Sequence, residues 1–340
     1  MRIAFTILVL SLAPLLSFGQ NIKLLSSLKD SIQLNSQLMV QSDNDADKLL
    51  YSERITKNVE KLIKQEKSIE FNMDSLKLVK VLTSKNKYFR VFTWAIPLTD
   101  GTYLFKGISQ SYVKSSKSYK ISVFKDKGGR MSRAFNKELN SQKWYGAYYY
   151  KLIQTKRGKK YFYTLLGWRG IDKTVQSKIV EVATIRNNGD VVFGYNLFKI
   201  KGYEYFKSTP SVKRLIFKYS SLTNMYLSYD YQTILLKSKK KTKSKKKKSD
   251  NIGFVAQQRI NQPKEKVKTI KDNMIVIDRL EPTSSDVKGF YEFYYPESNI
   301  IDALRFENNM WKYYPDIDAR NETSPTDKKT KRIDYELTPE

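Results

Sequence analysis

The stretch WYGAYYYKLIQTKRGKKYFYTLLGWRG, residues 144–170, decides the fold. Two aromatic and branched runs, Trp144 to Gln154 and Lys160 to Leu166, flank Thr155-Lys156-Arg157-Gly158. Tyr, Phe, Ile and Leu suit a pleated, half-buried surface, and a short Gly-containing break between two such runs is a hairpin signal. The pattern repeats on both sides. Upstream, Tyr88 to Leu98 and Thr102 to Val113 flank Thr99-Asp100-Gly101, and Ser118 to Phe124 leads to Asp126-Lys127-Gly128-Gly129. Downstream, Gln176 to Ile185 and Val191 to Phe198 flank Asn187-Asn188-Gly189-Asp190. Asn, Asp and Gly tolerate the left-handed backbone of tight hairpin turns.

Further strands are expected at Val212 to Tyr219, Met225 to Tyr231, Met274 to Leu280 and Gly289 to Tyr295. Ile300 to Phe306 and Met310 to Tyr314 form a last hairpin around Glu307-Asn308-Asn309. Most connections are too short for the crossovers that parallel strands need. The expectation is a mainly β fold: a large antiparallel meander, closed as a barrel, folded as a sandwich or left as an open propeller-like array, with an N-terminal helical segment.

Residues 20–67 read as that segment. Leu24, Leu25, Leu28 and Ile32 make one apolar stripe, which Leu38 extends; Leu49, Ile55, Val59, Leu62 and Ile63 make a second after the polar break Ser42-Asp43-Asn44-Asp45. Asp45 is the expected cap of the second helix. Two helices packed over a sheet face are the simplest reading, with a free-standing pairing segment as the rival.

The first nineteen residues resemble a cleaved secretory signal: Arg2, an apolar run from Ile3 to Phe18, then small Ser17 and Gly19 before Gln20. The run is shorter than the roughly 20 apolar residues that span a bilayer. Export is therefore expected, to a periplasm or the exterior, with no transmembrane span after cleavage. The chain has no Cys, so it carries neither disulfides nor a lipid-modified cysteine, which points to a bacterial envelope or exterior.

The formal charge is +28. Residues 237–271 hold fourteen Lys or Arg against Asp250 and Glu265, a net +12. Their densest part includes Lys239, Lys240, Lys241, Lys245, Lys246, Lys247 and Lys248. Adjacent ammonium groups repel and resist burial, so this reads as a basic insertion at the edge of a β domain spanning 85–321. Residues 322–340 read as a polar, disordered tail. Such a field favours anionic partners: an anionic envelope surface, a polysaccharide or an acidic protein. Export disfavours nucleic acid.

With no His and no Cys, Ser-His-Asp and Cys-based nucleophilic chemistry are excluded, and no metal site or cofactor is expected. Asp43-Asn44-Asp45-Ala46-Asp47 lacks the Gly and terminal Glu of a calcium loop. Gly128-Gly129-Arg130 and Gly167-Trp168-Arg169-Gly170 lack the ending of a phosphate loop and read as turns. Glycoside hydrolysis needs only two carboxylates. Glu292 and Asp302, on what read as consecutive strands, are the pair for that alternative, a carbohydrate-active enzyme. Trp168, Arg169 and Trp144 are the candidate ligand-surface residues, because an exposed ring beside glycine turns can stack on a sugar.

Several segments resemble a family of uncharacterised secreted proteins of Bacteroidota: Trp144 to Lys151, Tyr163 to Trp168, Gly289 through Phe306 to Trp311-Lys312, and Tyr314 to Asn321. The resemblance covers roughly residues 85–321, and the lysine tract departs from it. It implies a secreted or envelope β-rich protein and no particular reaction. The leading expectation is non-catalytic macromolecular binding or assembly.

Overall fold

The computed structural model describes residues 2–200, 212–237 and 267–317. Two helices, α1 (Arg2–Gln41) and α2 (Asp45–Ile63), precede fifteen strands found among the described residues. β1 (Lys80–Thr83), β2 (Phe89–Pro97), β3 (Tyr103–Val113) and β4 (Ser118–Lys125) form a first antiparallel sheet in sequence order. A second sheet contains β5 (Leu139–Asn140), β6 (Tyr148–Arg157), β7 (Lys160–Gly170), β8 (Val175–Ile185), β9 (Val191–Phe193) and β11 (Arg214–Ser220). β10 (Phe198–Lys199) crosses to a third sheet with β12 (Leu227–Lys237), β13 (Val267–Pro282), β14 (Tyr294–Glu307) and β15 (Met310–Tyr314). Every pairing between these strands is antiparallel except β10 with β15.

The sheets stack face to face and none closes on itself, so the open array is realised and not a barrel. Strand alternation shows how the layers form. On β2, Phe89 and Val91 point toward the second sheet, while Phe92, Trp94 and Ile96 point toward the helices. On β7, Tyr163 and Leu165 face the first sheet, and Phe162 and Leu166 face the third. The middle sheet is thus buried on both faces. The helices cover the outer face of the first sheet through Leu25, Ile32 and Met39 of α1 and Ile55, Val59 and Leu62 of α2. Leu24 and Leu49, expected in those stripes, are exposed instead. No described helix is long and apolar enough to cross a membrane.

Several boundaries differ from expectation for physical reasons. The cap of α2 is Asn44, whose side chain accepts from the Asp47 amide at 2.9 Å. Asp45 instead accepts from the amide and hydroxyl of Thr99 at 2.9 and 3.0 Å, pinning α2 to the β2–β3 turn. The run Val191 to Phe198 is broken at Gly194, whose φ of +87° turns the chain out of the second sheet. Residues 267–271, expected inside the basic insertion, are strand, and Lys237 pairs with Val267. The segment between them is therefore the connection of a β-hairpin. Gly289 to Tyr295 and Ile300 to Phe306 are not separate strands: a short 3-10 turn, Tyr291–Phe293, leads into the single strand β14.

Candidate functional site: a tyrosine–lysine end

The expected ligand-surface residues lie inside the fold. Trp144 is fully buried and donates its Nε1 to the Tyr149 hydroxyl at 3.0 Å. That hydroxyl donates to Glu181, which is paired with Arg214, and Arg214 also donates to the Ala134 carbonyl. Glu181 and Arg214 are fully buried between the first and second sheets. Burial, together with the neighbouring Glu181 charge, pushes the Tyr149 phenol well above its ordinary value.

Arg169 is likewise buried. It forms an ion pair with Asp126 at 3.0 Å, donates to the Tyr145 and Gly146 carbonyls at 2.9 and 3.0 Å, and lies over the Phe105 ring. Gly146, with φ +80°, stands where a Cβ would meet the guanidinium at 2.2 Å, so the glycine turn exists to let Arg169 in. Trp168 is half-buried, packs edge-on against Tyr103 and donates to Gln176 at 2.7 Å. It closes the side of the core. Nη1 of Arg169 makes all of that residue's bonds to Asp126, Tyr145 and Gly146, and the paired Asp126 carboxylate offsets the cost of burying the charge. The surface-contact expectation for Trp144 and Arg169 is therefore corrected: neither side chain presents a ligand surface.

The carboxylate pair is corrected as well. Glu292 and Asp302 belong to one continuous run, so they do not meet across a hairpin. Tyr294 pairs with Pro282 and Asp302 with Ile277 on β13, so roughly 16 Å of strand separates the start of β14 from Asp302, and Glu292 precedes that start. Asp302 is fully buried, held by Arg279 at 2.6 Å and by the Asp316 amide at 2.9 Å. No group of three or more His, Cys, Asp or Glu side chains gathers as metal ligands among the described residues. A groove of about 280 Å³ runs between α2 and the first sheet, walled by Leu49, Glu53 and Thr56 and floored by Trp94, Lys106 and Val123.

The arrangement with evident binding chemistry is at one end of the sheets. Antiparallel strands send alternate turns to the same end, and four converge there. The β1–β2 turn meets β6 and β7 through Asn86, whose backbone amide donates to Gln154 Oε1 at 3.0 Å and whose side-chain amide donates to the Tyr163 hydroxyl at 3.2 Å. The β3–β4 hairpin meets the β8–β9 turn through Ser111 to Gly189 at 2.6 Å and Lys120 to Asp190 at 2.7 Å. The fourth is the β6–β7 turn at Gly158.

These turns bring together tyrosines that are distant in sequence. Tyr88 stacks on Tyr112 with centroids 4.9 Å apart, Tyr161 meets Tyr88 edge-on at 6.1 Å, and Tyr119 meets Tyr112 at 5.4 Å. All four rings are half-buried. Around them stand Lys85, Lys114, Lys117, Lys156, Arg157 and Lys159, exposed and without an ion pair among the described residues. Lys114 lies over the Tyr88 ring at 6.0 Å and Lys156 over Tyr161 at 5.5 Å. Lys87 and Lys120 are neutralised locally by Glu70 and Asp190. Lys87 and Lys117 hold left-handed backbone, φ 56° and 51°, where a non-glycine residue costs roughly 1 kcal/mol.

Such a surface offers flat apolar rings and unneutralised cations side by side, which suits an anionic ligand with apolar faces. Sequence reasoning missed it, although each turn carries the signal: Lys85-Asn86-Lys87-Tyr88, Tyr112-Val113-Lys114, Lys117-Ser118-Tyr119 and Lys156-Arg157-Gly158-Lys159-Lys160-Tyr161. The lysines from Lys239 to Lys248 lie outside the described residues. The strands that flank them pair at Lys237 and Val267.

No family model matches this chain, and no curated protein or solved structure is significantly similar to it. What the geometry defines is a helix-capped, open stack of antiparallel sheets. Its distinguishing surface is the end lined with tyrosine and lysine.

Proposed function

We propose that this chain is an exported envelope or secreted protein that binds an acidic polysaccharide, without catalysing a reaction on it, at the tyrosine–lysine end. The observation that carries the reading is the convergence of Tyr88, Tyr112, Tyr119 and Tyr161 with six unneutralised cations on turns far apart in sequence. Sugar rings present apolar faces to the tyrosines, and carboxylate or sulfate groups meet the ammonium groups. Support for export comes from the leader-like first nineteen residues, and the resemblance to secreted Bacteroidota proteins agrees with it. The excess charge of the lysine tract supplies long-range attraction to the same kind of polymer.

The test is affinity for alginate against neutral dextran at two salt concentrations, using the chain and the variant Tyr88→Ala/Tyr161→Ala/Lys114→Gln/Lys156→Gln. Binding to alginate alone, weakened by salt and reduced about tenfold or more in the variant, is expected; stacking and ion pairing each contribute on the order of 1 kcal/mol per group. Equal retention on both polymers, or an unaffected variant, overturns the reading.

A further inference from the structure

The opposite end of the molecule has a different chemistry. The β11–β12 turn and the β13–β14 connection both lie there. Tyr226 donates its amide to Asp278 at 2.7 Å, which ties the β11–β12 connection to β13. Beyond that level the first carries Leu222 and the second Phe290, with Phe293 at its base, where its carbonyl accepts from the Thr283 amide at 3.0 Å. Leu222 is 86% exposed, Phe290 58% and Phe293 43%. A scattered exposed leucine needs no explanation, but three large exposed apolar side chains on two adjacent connections do.

These three stand on a belt of amphipathic side chains. Tyr226 is half exposed, and Tyr291 packs against Tyr294 at 5.3 Å with the Lys218 ammonium 4.9 Å from its ring. Lys173 and Lys288 are exposed beside them. The Lys173 carbonyl is held by Ser221 at 2.8 Å, so this lysine belongs to the same ridge. Asp286 and Glu292 are close in sequence to Phe290 and Phe293 and offset part of this positive charge.

We infer that this end inserts Leu222, Phe290 and Phe293 into the interface of a lipid bilayer. Leu222 and Phe290 lie on separate connections, and both are more than half exposed. A protein partner forms a flat, close-packed contact with a central apolar core, whereas a fluid bilayer admits isolated protrusions one by one. Tyrosines behind these side chains sit at headgroup depth, where one part of the ring is wet and another apolar. The lysines complement anionic headgroups, in keeping with the excess positive charge of the chain. Because the nearby acids cancel part of the local charge, apolar insertion is the dominant attraction and survives high salt, unlike polysaccharide binding at the other end.

The absence of native cysteine makes the test direct, since a single introduced thiol is the only labelling site. An environment-sensitive fluorophore is attached in the full chain at Leu222→Cys, at Phe290→Cys, or at the control Lys159→Cys on the tyrosine–lysine end. Each is mixed with phosphatidylcholine–phosphatidylglycerol vesicles in about 0.5 M salt, where charge attraction is screened to within a few ångströms. Blue shifts at 222 and 290, quenching there by lipids brominated in the acyl chain, and no change at 159 are expected. The variant Leu222→Ser/Phe290→Ser/Phe293→Ser, first confirmed to unfold at the same temperature as the parent, is expected to lose about tenfold or more of its vesicle partitioning. Unshifted labels at 222 and 290, an equal shift at 159, or unchanged partitioning of the triple variant overturns the inference. None of these readouts depends on polysaccharide binding.

Discussion

Replacing Arg214 by Met tests what holds strands β6, β8 and β11 and the turn at Ala134–Asn136 together on the inner face of the second sheet. In the native protein Arg214 and Glu181 are fully buried partners. Arg214 also satisfies the Ala134 carbonyl, and Glu181 also takes the Tyr149 hydroxyl. Arg214→Met is close in volume, so packing changes little, but it strands a carboxylate in an apolar layer. Breaking a buried pair in this way costs about 3–5 kcal/mol. The double variant Glu181→Leu/Arg214→Met removes both charges. It leaves the Tyr149 hydroxyl without its acceptor and the Ala134 carbonyl without its donor, a cost of about 1–3 kcal/mol for each group that water does not reach.

The second substitution should therefore rescue part of the first, a coupling of about 2 kcal/mol. The urea midpoint, followed by fluorescence of the four tryptophans, is the readout, with Trp144 reporting from inside the network. Against a total stability of about 5–15 kcal/mol, Arg214→Met should shift the midpoint visibly or prevent folding at ambient temperature. Equal midpoints for the single and double variants, or simple additivity of Glu181→Leu and Arg214→Met, refute the reasoning that an unpaired charge is the source of the damage.

Two other outcomes follow from the same physical picture. Burial pushes the Lys178 amine down to about 8, against an ordinary value near 10.5. Below pH 8 the folded protein bears the cost of a desolvated ammonium. Between pH 8 and 10.5 the unfolded chain binds more protons than the folded one, so this residue's contribution to stability rises with pH. Lys178→Met should thus raise the unfolding temperature at pH 7 and lose that advantage by pH 10.5; an advantage independent of pH refutes the assignment. Deleting residues 238–248 should leave thermal unfolding unchanged, because the deletion falls within a hairpin connection, while flattening the salt dependence of alginate retention; an unchanged salt slope refutes the contribution of the tract.

The fold was legible where turn chemistry and strand propensity agree. Asn308 and Asn309, with φ of 48° and 62°, give the tight turn expected between β14 and β15. Gly101 and Gly189, at φ 81° and 82°, do the same for two other hairpins. What strand patterns could not give was the layering. The middle sheet is buried on both faces, so β7 reads as the nearly unbroken apolar run Tyr161 to Leu166 with only Thr164 interrupting. Alternation, the signal that tells inside from outside, is erased there. The very short β5 and β10 were missed because two-residue strands exist only through their partners, Phe193 with Leu139 and Trp311 with Phe198.

Candidate site residues were less legible, because burial of tryptophan and arginine is a tertiary property. Gly167-Trp168-Arg169-Gly170 reads locally as an exposed turn, yet it is the end of β7, and Asp126, more than forty residues away in sequence, draws Arg169 inward. The tyrosine–lysine end shows the converse. Its residues were all visible as turn-flanking pairs, and only the up-and-down course of the strands brings those turns to one place. An antiparallel meander sorts its turns into two opposite sets, so a protein of this architecture can give each end its own chemistry without altering its core. Here the sorting puts Tyr88, Tyr112, Tyr119 and Tyr161 with unneutralised cations on one side and Leu222, Phe290 and Phe293 on the other. Substitutions in either set should leave the buried Glu181–Arg214 network untouched, which makes the two surfaces separable by mutation.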